Sequence, residues 1–327
     1  MADGLVTDKL ATIFGGSGFV GRYVTRELAK RGWRIRAASR RPDLAGHLQP
    51  MGAVGQIHAV QANFRSPESL RAAIDGADAV VMSVGVLASS GKQTFQALHV
   101  DGPREVAKAA KQAGVKSLVH VSAIGADAQS GADYARTKGL GEEAILQEFP
   151  EAIILRPSIV FGPEDQFFNR FAGMAKFSPF LPLVGGGHTK FQPVYVGDVA
   201  TAVAQAVEGS ARAGAIYELG GPEVFSFKQL LDKTLDWSGR RAGYIPLPFW
   251  LAKLQALMTW PLPNALRPIT VDQVRMLQSD NVVSDAAKDD GRTLAALGVQ
   301  APQSCEVIVP KYLTRFKPRG QFEEYRG

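Results

Sequence analysis

The stretch that decides the fold is Leu10-Ala-Thr-Ile-Phe-Gly15-Gly16-Ser17-Gly18-Phe19-Val20-Gly21-Arg22. An apolar run ends in glycines, and Val20, Val24 and Leu28 then recur every fourth residue, which indicates an amphipathic helix. The order predicts a strand, a tight turn and a helix. In such a unit the glycines allow the bend, the approach of a pyrophosphate and close packing of the helix on the strand. The free N–H groups of the first helical turn would hold the phosphates.

Two registers of the glycine pattern fit this turn, Gly16-x-Gly18-x-x-Gly21 and Gly15-x-x-Gly18-x-x-Gly21. The second spacing resembles that of the short-chain dehydrogenase/reductase superfamily, and a strand before it with a helix after it is the context that the motif requires. The resemblance implies a Rossmann-type domain that binds a nicotinamide dinucleotide. The candidate cofactor-binding residues of the turn are Gly15, Ser17, Gly18, Phe19, Val20 and Gly21.

The composition sets limits on the partners. The 327 residues are 46% hydrophobic and 21% charged, which is typical of a globular protein with one large or two medium domains. A single cysteine, Cys305, excludes an internal disulfide framework and a cysteine-based metal cluster, and we expect no metal. The net charge of +6 favours anionic partners such as phosphates, an acidic protein face or an anionic membrane. No nucleic-acid-binding motif is recognisable, so nucleic acid is not an expected partner.

The printed sequence predicts neither a targeting signal nor a membrane span. Met1-Ala-Asp-Gly4 has neither a signal-peptide layout nor an arginine-rich transit peptide, and no apolar run approaches the roughly 18 residues of a membrane span. We therefore expect the protein to stay in the compartment where it is made.

The choice between NADPH and NADH is predicted at the second strand, Arg34–Ser39. An NAD site places an acidic residue about 20 residues after the glycines, whereas an arginine there accommodates the 2′-phosphate of NADP. No Asp or Glu lies between Ile35 and Arg41, and Ser39-Arg40-Arg41 stands in that place. These three residues therefore predict NADPH. The alternative is that the two arginines are solvated surface residues.

Further strands and helices alternate along the chain. Predicted strands at residues 57–63, 79–83 and 117–122, with a helix from Gln93 to Gln112, indicate a parallel doubly wound sheet of the α/β class. The superfamily resemblance implies that Asn63 and Phe64 lie near the adenine. It also implies that Val84 and Gly85 pass beside the ribose.

Tyr134-Ala-Arg-Thr-Lys138 is a Tyr-x-x-x-Lys motif on a predicted helix, where residues four apart share one face. The superfamily resemblance implies that Lys138 binds the nicotinamide ribose and lowers the pKa of Tyr134, which then exchanges a proton with substrate. The third catalytic candidate is Ser122, because Ala123 and Ile124 occupy the positions where extended members carry further hydroxyls. The alternative role of Ser122 is a serine that simply ends the strand.

The second half of the chain supports a smaller domain. We expect an NADP(H)-binding domain over residues 1–160, with sheet strands also from 190–220, and a C-terminal domain over 161–327. Arg156-Pro157-Ser-Ile-Val-Phe-Gly-Pro163 resembles a segment of extended short-chain members whose proline borders the nicotinamide, which assigns Pro157 to the cofactor site.

Two segments are unusual for a reductase. An apolar helix at 249–260, fenced by prolines, fits either a membrane interface or the closure of the second domain. A basic and aromatic tail at 311–327 is typical of a segment that is disordered or ordered by a partner.

Three segments of the C-terminal third are similar to one family in particular. They are Leu247-Pro-Phe-Trp250 with the helix after it, Pro268-Ile-Thr-Val-Asp-Gln-Val274 and Asp280-Asn-Val-Val283. They resemble the Rossmann-type accessory subunit of respiratory complex I (NADH:ubiquinone oxidoreductase). The resemblance implies a non-catalytic, NADPH-binding subunit near the junction of the hydrophilic and membrane arms, with other complex I subunits as partners. It implies a peripheral location on the cytoplasmic face of the bacterial inner membrane, or on the matrix side in mitochondria.

The alternative function is a soluble NADP-dependent short-chain reductase or epimerase. Its substrate would be a sugar nucleotide, a quinone or a small carbonyl compound, and Tyr134, Lys138 and Ser122 would be catalytic. This alternative predicts a polar substrate-binding set near Gln166, Asn169 and Arg170.

Overall fold

The computed structural model describes residues 6–86, 88–89, 91, 93–259 and 269–318. The strands are β1 (Leu10–Phe14), β2 (Arg34–Ser39), β3 (Ile57–Gln61), β4 (Ala79–Met82), β5 (Ser117–Val121), β6 (Ile153–Pro157), β7 (Val160–Phe161), β8 (Phe180–Val184), β9 (Lys190–Phe191), β10 (Val194–Tyr195), β11 (Ile216–Leu219), β12 (Phe225–Ser226) and β13 (Gly243–Leu247). The helices are α1 (Phe19–Lys30), α2 (Pro67–Ile74), α3 (Gly102–Gln112), α4 (Asp133–Glu148), α5 (Phe168–Phe177), α6 (Val196–Val207), α7 (Phe227–Trp237), α8 (Phe249–Met258), α9 (Val271–Met276), α10 (Asp285–Asp289) and α11 (Cys305–Leu313).

Seven parallel strands form the central sheet in the order β11-β6-β5-β4-β1-β2-β3. In this register Thr12 of β1 lies between Arg36 of β2 and Val80 of β4. All four residues of β4 are buried, as expected for a parallel sheet covered by helices on both faces. Helix α1 packs beside α6, and α3 packs between α2 and α4. The predicted Rossmann-type, doubly wound α/β fold is confirmed. Its strand order reverses between β1 and β4, where such sheets bind ligands.

The chain forms two compact units. The first comprises residues 1–157, 196–219 and 284–300, and the second comprises 158–195, 220–283 and 301–327. Residues 284–300, which a boundary at 160 leaves in the second part of the chain, belong to the first unit. The backbone N–H of Ser284 donates to the Glu218 carboxylate at 2.7 Å, and Arg292 donates to the Ile216 carbonyl at 2.6 Å. These bonds hold the segment along the edge strand β11.

The second unit is built on short strand pairs and an aromatic core. Strand β7 pairs with β10, β9 with β12, and β8 with β13. Phe161, Phe168 and Phe227 are buried at the centre of this core. Within the described residues, no helix is both long enough and apolar enough to cross a membrane.

The predicted tail begins inside the second unit. Residues 311–313 complete α11, a helical turn follows at Thr314–Phe316, and Leu313 is fully buried. Arg240 donates to the Phe316 carbonyl at 2.8 Å. The first part of the tail is therefore packed, whereas residues 319–327 lie outside the described part of the chain. The apolar helix runs from Phe249 to Met258, and residue 260 at the end of its predicted range also lies outside that part.

Candidate functional site

The glycine turn follows β1 directly. Gly15 has a φ of +80°, a backbone conformation that residues other than glycine rarely adopt. A Cβ atom on Gly21 would lie 2.0 Å from the Gly15 carbonyl oxygen, so α1 packs against the turn only because Gly21 has no side chain. Gly18 donates to the same carbonyl at 2.9 Å. Of the two registers, Gly15-x-x-Gly18-x-x-Gly21 is the one that the backbone requires.

Helix α1 begins directly after the glycine turn. The N-cap residue is Gly18, which offers no side chain to cap the helix, and the first helical turn contains no acidic residue. The backbone N–H groups of Phe19, Val20 and Gly21 therefore belong to the uncapped first turn, where an anion is favoured. Ser17 is half-buried in the turn before them.

Arg22 is a residue of this turn that the motif does not assign. Its guanidinium donates to the Gly18 carbonyl at 3.1 Å and to the Ser17 carbonyl at 3.3 Å. These bonds tie the turn to the first residues of the helix and add a positive charge beside the anion site. The sequence signal is its position, immediately after the third glycine.

Ser39 and Arg40, at the end of β2, have polar groups without hydrogen-bond or ion-pair partners in the described structure. The Ser39 hydroxyl is buried and has no hydrogen-bond partner among the described residues. Arg40 is exposed, whereas Arg41 is bound to Asp43 through Nε at 3.0 Å and Nη2 at 2.7 Å. The bond to Arg41 lowers the pKa of the Asp43 carboxyl. The two arginines are therefore not equivalent, and Arg40 is the one without an ion pair in the described structure.

Asn63 and Phe64 follow β3. The Asn63 side-chain oxygen accepts from the Arg65 backbone N–H at 3.1 Å, which fixes the turn. The Phe64 ring lies against Phe14, with ring centroids 5.9 Å apart, and a Cβ on Gly102 would lie 2.1 Å from the Phe64 ring. Phe64 thus packs on the hydrophobic core, and Asn63 is the more polar of the two candidates.

The loop after β4 connects the glycine turn to the motif lysine. The Val84 side chain lies 3.1 Å from the point where a Gly15 Cβ would stand, and the corresponding point on Gly85 lies 3.9 Å from Lys138 Nζ. The carboxyl end of β4 therefore brings the glycine turn and Lys138 to one edge of the sheet.

Lys138 is a buried cation on α4. Only 3% of the residue is exposed, and Nζ donates to the Val121 carbonyl at 3.2 Å. Burial disfavours the charged form and lowers the pKa of Lys138 to about 8, while the nearby Glu142 carboxylate opposes the shift. Two further donor positions of the ammonium remain for a ligand oxygen.

Tyr134 lies one helical turn before Lys138 and is half-buried. Its ring makes edge contacts with His99, at a centroid distance of 5.3 Å, and with Phe95, at 6.0 Å. The phenol and the ammonium occupy the same face of α4, as the motif predicts for residues four apart.

Two buried histidines beside Lys138 were missed by sequence reasoning. His99 lies in a π-helical turn, Gln96–Asp101, that precedes α3 where the sequence predicts regular helix. Thr137 Oγ1 donates to the Asp133 carbonyl at 2.7 Å, so His99 Nδ1, 3.0 Å from Thr137 Oγ1, must carry the proton of that contact. His99 Nε2 and both ring nitrogens of His120 are buried without partners among the described residues.

The charge state of both histidines follows from burial. Burial, together with the Lys138 charge, lowers the pKa of His99 to about 3 and that of His120 well below its usual 6.5. Both imidazoles are neutral at physiological pH. Short motifs gave no signal for them because their partners come from other strands and helices.

The Ser122 hydroxyl is hydrogen-bonded to a carboxylate of the protein, whereas a catalytic role requires a hydrogen bond to the substrate oxygen. Its hydroxyl donates to Glu142 Oε1, and the Glu142 carboxylate also accepts from Arg156 Nε at 3.0 Å and Nη2 at 2.5 Å. Ser122 and Glu142 are 5% and 3% exposed. The single hydroxyl proton of Ser122 is therefore committed to a carboxylate, and Ser122 has none to donate to a substrate oxygen in this arrangement.

Pro157 ends β6 beside these residues. Its carbonyl accepts from the Ile124 backbone N–H at 2.9 Å, which joins the exits of β5 and β6. Pro157 is itself buried.

A nicotinamide dinucleotide fits the residues of the first unit. Gly21 has no room for a side chain, the first turn of α1 is uncapped, and the Ser39 hydroxyl has no protein partner in the described structure. The cation Lys138 lies at the same sheet edge. Among the described residues no group of three histidine, cysteine or acidic side chains is arranged to hold a metal.

Comparisons with known proteins agree with a nucleotide-binding site at this edge of the sheet, which we call the cofactor cradle. The family model described as NAD(P)H-binding matches residues 15–159. NADH dehydrogenase (ubiquinone) 1 alpha subcomplex subunit 9 of Arabidopsis thaliana is 36% identical over 294 residues, which cover 86% of this chain and 73% of that protein. The chain belongs to the subunit 9 family. The Mus musculus member is 33% identical over 303 residues, which cover 90% of this chain and 77% of that protein.

Membership of the subunit 9 family confirms the resemblance that the C-terminal third suggests. Among solved structures, a crystal structure of an NADPH-dependent quinone oxidoreductase from Escherichia coli complexed with NADPH superposes with a TM-score of 0.71 at 22% identity. The match covers 93% of this chain and 99% of that one, and it establishes a shared fold. The expectation of a nicotinamide cofactor is confirmed by the NAD(P)H-binding domain.

Proposed function

We propose that this chain is a non-catalytic, NADPH-binding accessory subunit of respiratory complex I (NADH:quinone oxidoreductase). The observation that carries the proposal is membership of the subunit 9 family, whose named members are subunits of NADH dehydrogenase. The chain would stabilise the complex near the junction of its hydrophilic and membrane arms. Its partners would be other complex I subunits, and nucleic acid has no part in this role.

Ser39 and Arg40 support NADPH over NADH as the cofactor. The 2′-phosphate of NADPH would supply acceptors for the unpartnered Ser39 hydroxyl and a negative charge for Arg40. NADH offers only a ribose hydroxyl at that position. The remaining contacts would come from the glycine turn, Asn63, the loop at Val84 and Gly85, and Lys138.

The bond between Ser122 and Glu142 supports a structural role for the nucleotide. A reductase needs a hydrogen-bond donor that orients the substrate oxygen while hydride is transferred. The Ser122 hydroxyl cannot be that donor in this arrangement, because it donates its hydrogen bond to Glu142. A nucleotide that binds only the folded protein stabilises it by RT ln(1 + [L]/Kd), about 4 kcal/mol when the ligand is roughly a thousandfold above Kd. The cradle can therefore stabilise the subunit without turnover.

Helix α8 supports contact with lipid headgroups. Trp250, Leu254, Leu257 and Met258 lie on one face and are 68%, 46%, 63% and 75% exposed. Ala252 and Ala256 on the opposite face are buried. A short helix with exposed tryptophan and leucine suits the interface of a membrane rather than its interior. We place the chain at the cytoplasmic face of a bacterial inner membrane, or at the matrix side of the mitochondrial one.

The test of the complex I proposal is gentle purification of the protein from its native membranes, with mass spectrometry of the proteins that accompany it. NADH:quinone oxidoreductase subunits should be present together with stoichiometric NADPH that is not oxidised during turnover. Recovery of the chain alone, with freely exchanging nucleotide, would contradict the proposal.

Vesicle sedimentation tests the membrane contact separately. A variant with Trp250→Ser and Leu257→Ser should lose most of the binding to vesicles containing anionic phospholipid. Val307→Ser, which changes an exposed apolar residue on α11, serves as the control and should bind normally. Equal vesicle binding by the wild type, the α8 double variant and Val307→Ser would contradict the proposed contact between α8 and the membrane.

The second candidate function is an NADP-dependent reductase or epimerase, favoured by Tyr134 and Lys138 on one face of α4. One of the polar residues expected to bind its substrate already makes hydrogen bonds within the protein. The Asn169 amide donates to the Pro163 and Asp165 carbonyls and accepts from Arg315. Oxidation of NADPH by the purified protein with quinones, sugar nucleotides or small carbonyl compounds would support this candidate. Loss of that activity in Tyr134→Phe would assign it to the motif.

A further inference from the structure

The paired strands β8 and β13 form a two-stranded ribbon whose two faces have different surroundings. Their register places Phe180 beside Gly243 and Pro182 beside Ile245. These four residues lie on one face, because side chains alternate along a strand. Tyr244 lies on the opposite face, where its hydroxyl donates to a carboxylate of α7 at 2.6 Å. The opposite face is therefore held against the second unit.

The first face is covered at one end and exposed at the other. Val184 and Leu247 are buried at one end, in a cluster with α8. At the other end Phe180 and Ile245 are each 52% exposed, and Phe177, the last residue of α5, is 85% exposed. The exposed end therefore continues the apolar surface of α8 along the ribbon. We call this end the ribbon face, and it consists of Phe177, Phe180, Pro182 and Ile245.

The outer edge of β8 offers few backbone donors. The Gly243 N–H donates to the Pro179 carbonyl at 2.8 Å, and alternate residues of a parallel pair bond to the partner strand. Phe180 and Pro182 therefore point to the outer edge. Ser178 Oγ accepts from the Phe180 N–H at 3.2 Å, and Pro182 has no N–H. Such an edge is unsuited to pairing with another strand and suited to surroundings poor in water.

The segments that carry the ribbon face contain no carboxylate. No Asp or Glu occurs in residues 166–197 or 237–271, which include α5, the ribbon and α8. The charged residues beside the ribbon face in sequence, Lys176 and Arg241, are both exposed, and Lys176 Nζ lies 5.4 Å from the centroid of the Phe177 ring. Exposed aromatic rings flanked by cations match the headgroup region of a membrane that contains anionic lipid.

We propose that the ribbon face enters the headgroup region of a bilayer containing anionic phospholipid, and this inference rests on the membrane contact proposed for α8. Phe177, Phe180 and Ile245 would lie between the headgroups and the upper acyl chains. Lys176 and Arg241 would bind lipid phosphate groups. Two anchoring elements on one side of the second unit fix its orientation on the membrane, which a single short helix does not.

A membrane fits this surface better than a protein partner. Phe177 protrudes at the end of a helix, so a protein would need a matching pocket for it, whereas lipid adapts to its shape. The rim of a protein interface is polar and hydrogen-bonded. Here the outer edge of β8 is poor in donors, and the flanking charges are positive on both sides.

The test places an apolar, environment-sensitive fluorophore at single introduced cysteines of the full chain. Cys305 is buried, so the label attaches to the introduced residue. Phe177→Cys and Ile245→Cys report on the ribbon face and Trp250→Cys reports on α8. Val307→Cys, at an exposed apolar position of α11, is the matched control. Each labelled protein is mixed with phosphatidylcholine vesicles, with and without phosphatidylglycerol, and quenching by nitroxide-labelled lipid measures insertion.

With phosphatidylglycerol present, the labels at positions 177 and 245 should emit at shorter wavelength and be quenched, and the label at position 307 should not. In unlabelled protein, Phe177→Ser with Phe180→Ser should lower the affinity for these vesicles roughly tenfold. Val224→Ser with Val307→Ser removes two equally exposed apolar side chains of the second unit and should bind normally. Thermal midpoints show whether each variant folds, and the labelled proteins keep the test valid if the double variant does not.

The other outcomes overturn the inference in distinguishable ways. A response at position 250 alone overturns the ribbon face and leaves the contact of α8 standing, whereas no response at any of the three positions overturns both. An equal response to vesicles without phosphatidylglycerol overturns the anionic lipid. A response to lipid-free NADH:quinone oxidoreductase but not to vesicles would assign the ribbon face to a protein. The vesicles contain no complex I, so their results are independent of whether the chain purifies with that complex.

Discussion

Ser122 at the end of β5 is hydrogen-bonded to Glu142, a buried carboxylate two turns after Tyr134 on α4. Arg156 of β6 binds the same carboxylate through two nitrogens. The three side chains join β5, β6 and α4 next to the cofactor cradle. The hydroxyl that the sequence suggests as a catalytic candidate is thereby part of a buried hydrogen-bond network.

The first prediction concerns this network. Glu142→Gln should lower the free energy of unfolding by about 2 to 4 kcal/mol, because it leaves the mostly buried Arg156 without its counter-charge. Ser122→Ala should cost less, about 1 to 2 kcal/mol, because one hydrogen bond to a charged group is lost. Urea unfolding measures both. Glu143→Gln, at the exposed neighbouring position on α4, is the matched control and should change stability little. Equal effects at positions 142 and 143 would contradict the network.

The second prediction separates the two arginines after β2. Arg40→Ala should weaken NADPH binding by roughly ten- to a hundredfold and leave NADH binding nearly unchanged, because only NADPH carries the 2′-phosphate. Arg41→Ala should have a smaller effect, since Arg41 is bound to Asp43. Fluorescence titration of each variant with both nucleotides measures the difference. Equal losses of NADPH and NADH affinity in Arg40→Ala would refute the assignment.

The third prediction tests the glycine turn. Gly21→Ala should destabilise the protein by more than about 3 kcal/mol or abolish nucleotide binding, because its Cβ would lie 2.0 Å from the Gly15 carbonyl oxygen. Gly46→Ala is the control, since nothing lies within 4 Å of the added Cβ. Thermal unfolding with and without NADPH measures both effects. A Gly21→Ala protein with normal stability and affinity would show that the turn can shift.

The local parts of this molecule were predictable from the sequence. The turn at Gly15 to Gly21 and the pairing of Tyr134 with Lys138 on one helix face follow from spacing within a single strand or helix. The two glycine registers could not be separated, because the choice depends on the positive φ of Gly15, which the spacing of the residues does not reveal. The packed beginning of the tail was also not predictable, since Leu313 is buried by residues far away in sequence.

Long-range partners account for the rest. The bond from Ser122 crosses 20 residues to Glu142, and residues 284–300 join the first unit through bonds to Ile216 and Glu218. Neither relationship leaves a periodic pattern or a short motif. His99 and His120 are similar cases, because their burial beside Lys138 depends on the packing of separate strands and helices around α4.

The fourth prediction follows from these histidines. Both are neutral in the folded protein at pH values where the unfolded chain binds their protons, since the folded pKa of His99 is about 3 and that of His120 is also far below 6.5. The unfolded state therefore binds more protons below about pH 6.5, and stability falls as the pH is lowered through this window, by about 1.4 kcal/mol per pH unit for each histidine. His120→Leu should reduce this slope by about one histidine's share and move acid unfolding to lower pH. His58→Leu, at an exposed position on β3, controls for the loss of a histidine. Urea unfolding between pH 4 and 7 measures the slopes, and an unchanged slope in His120→Leu would mean that His120 is protonated in the folded protein.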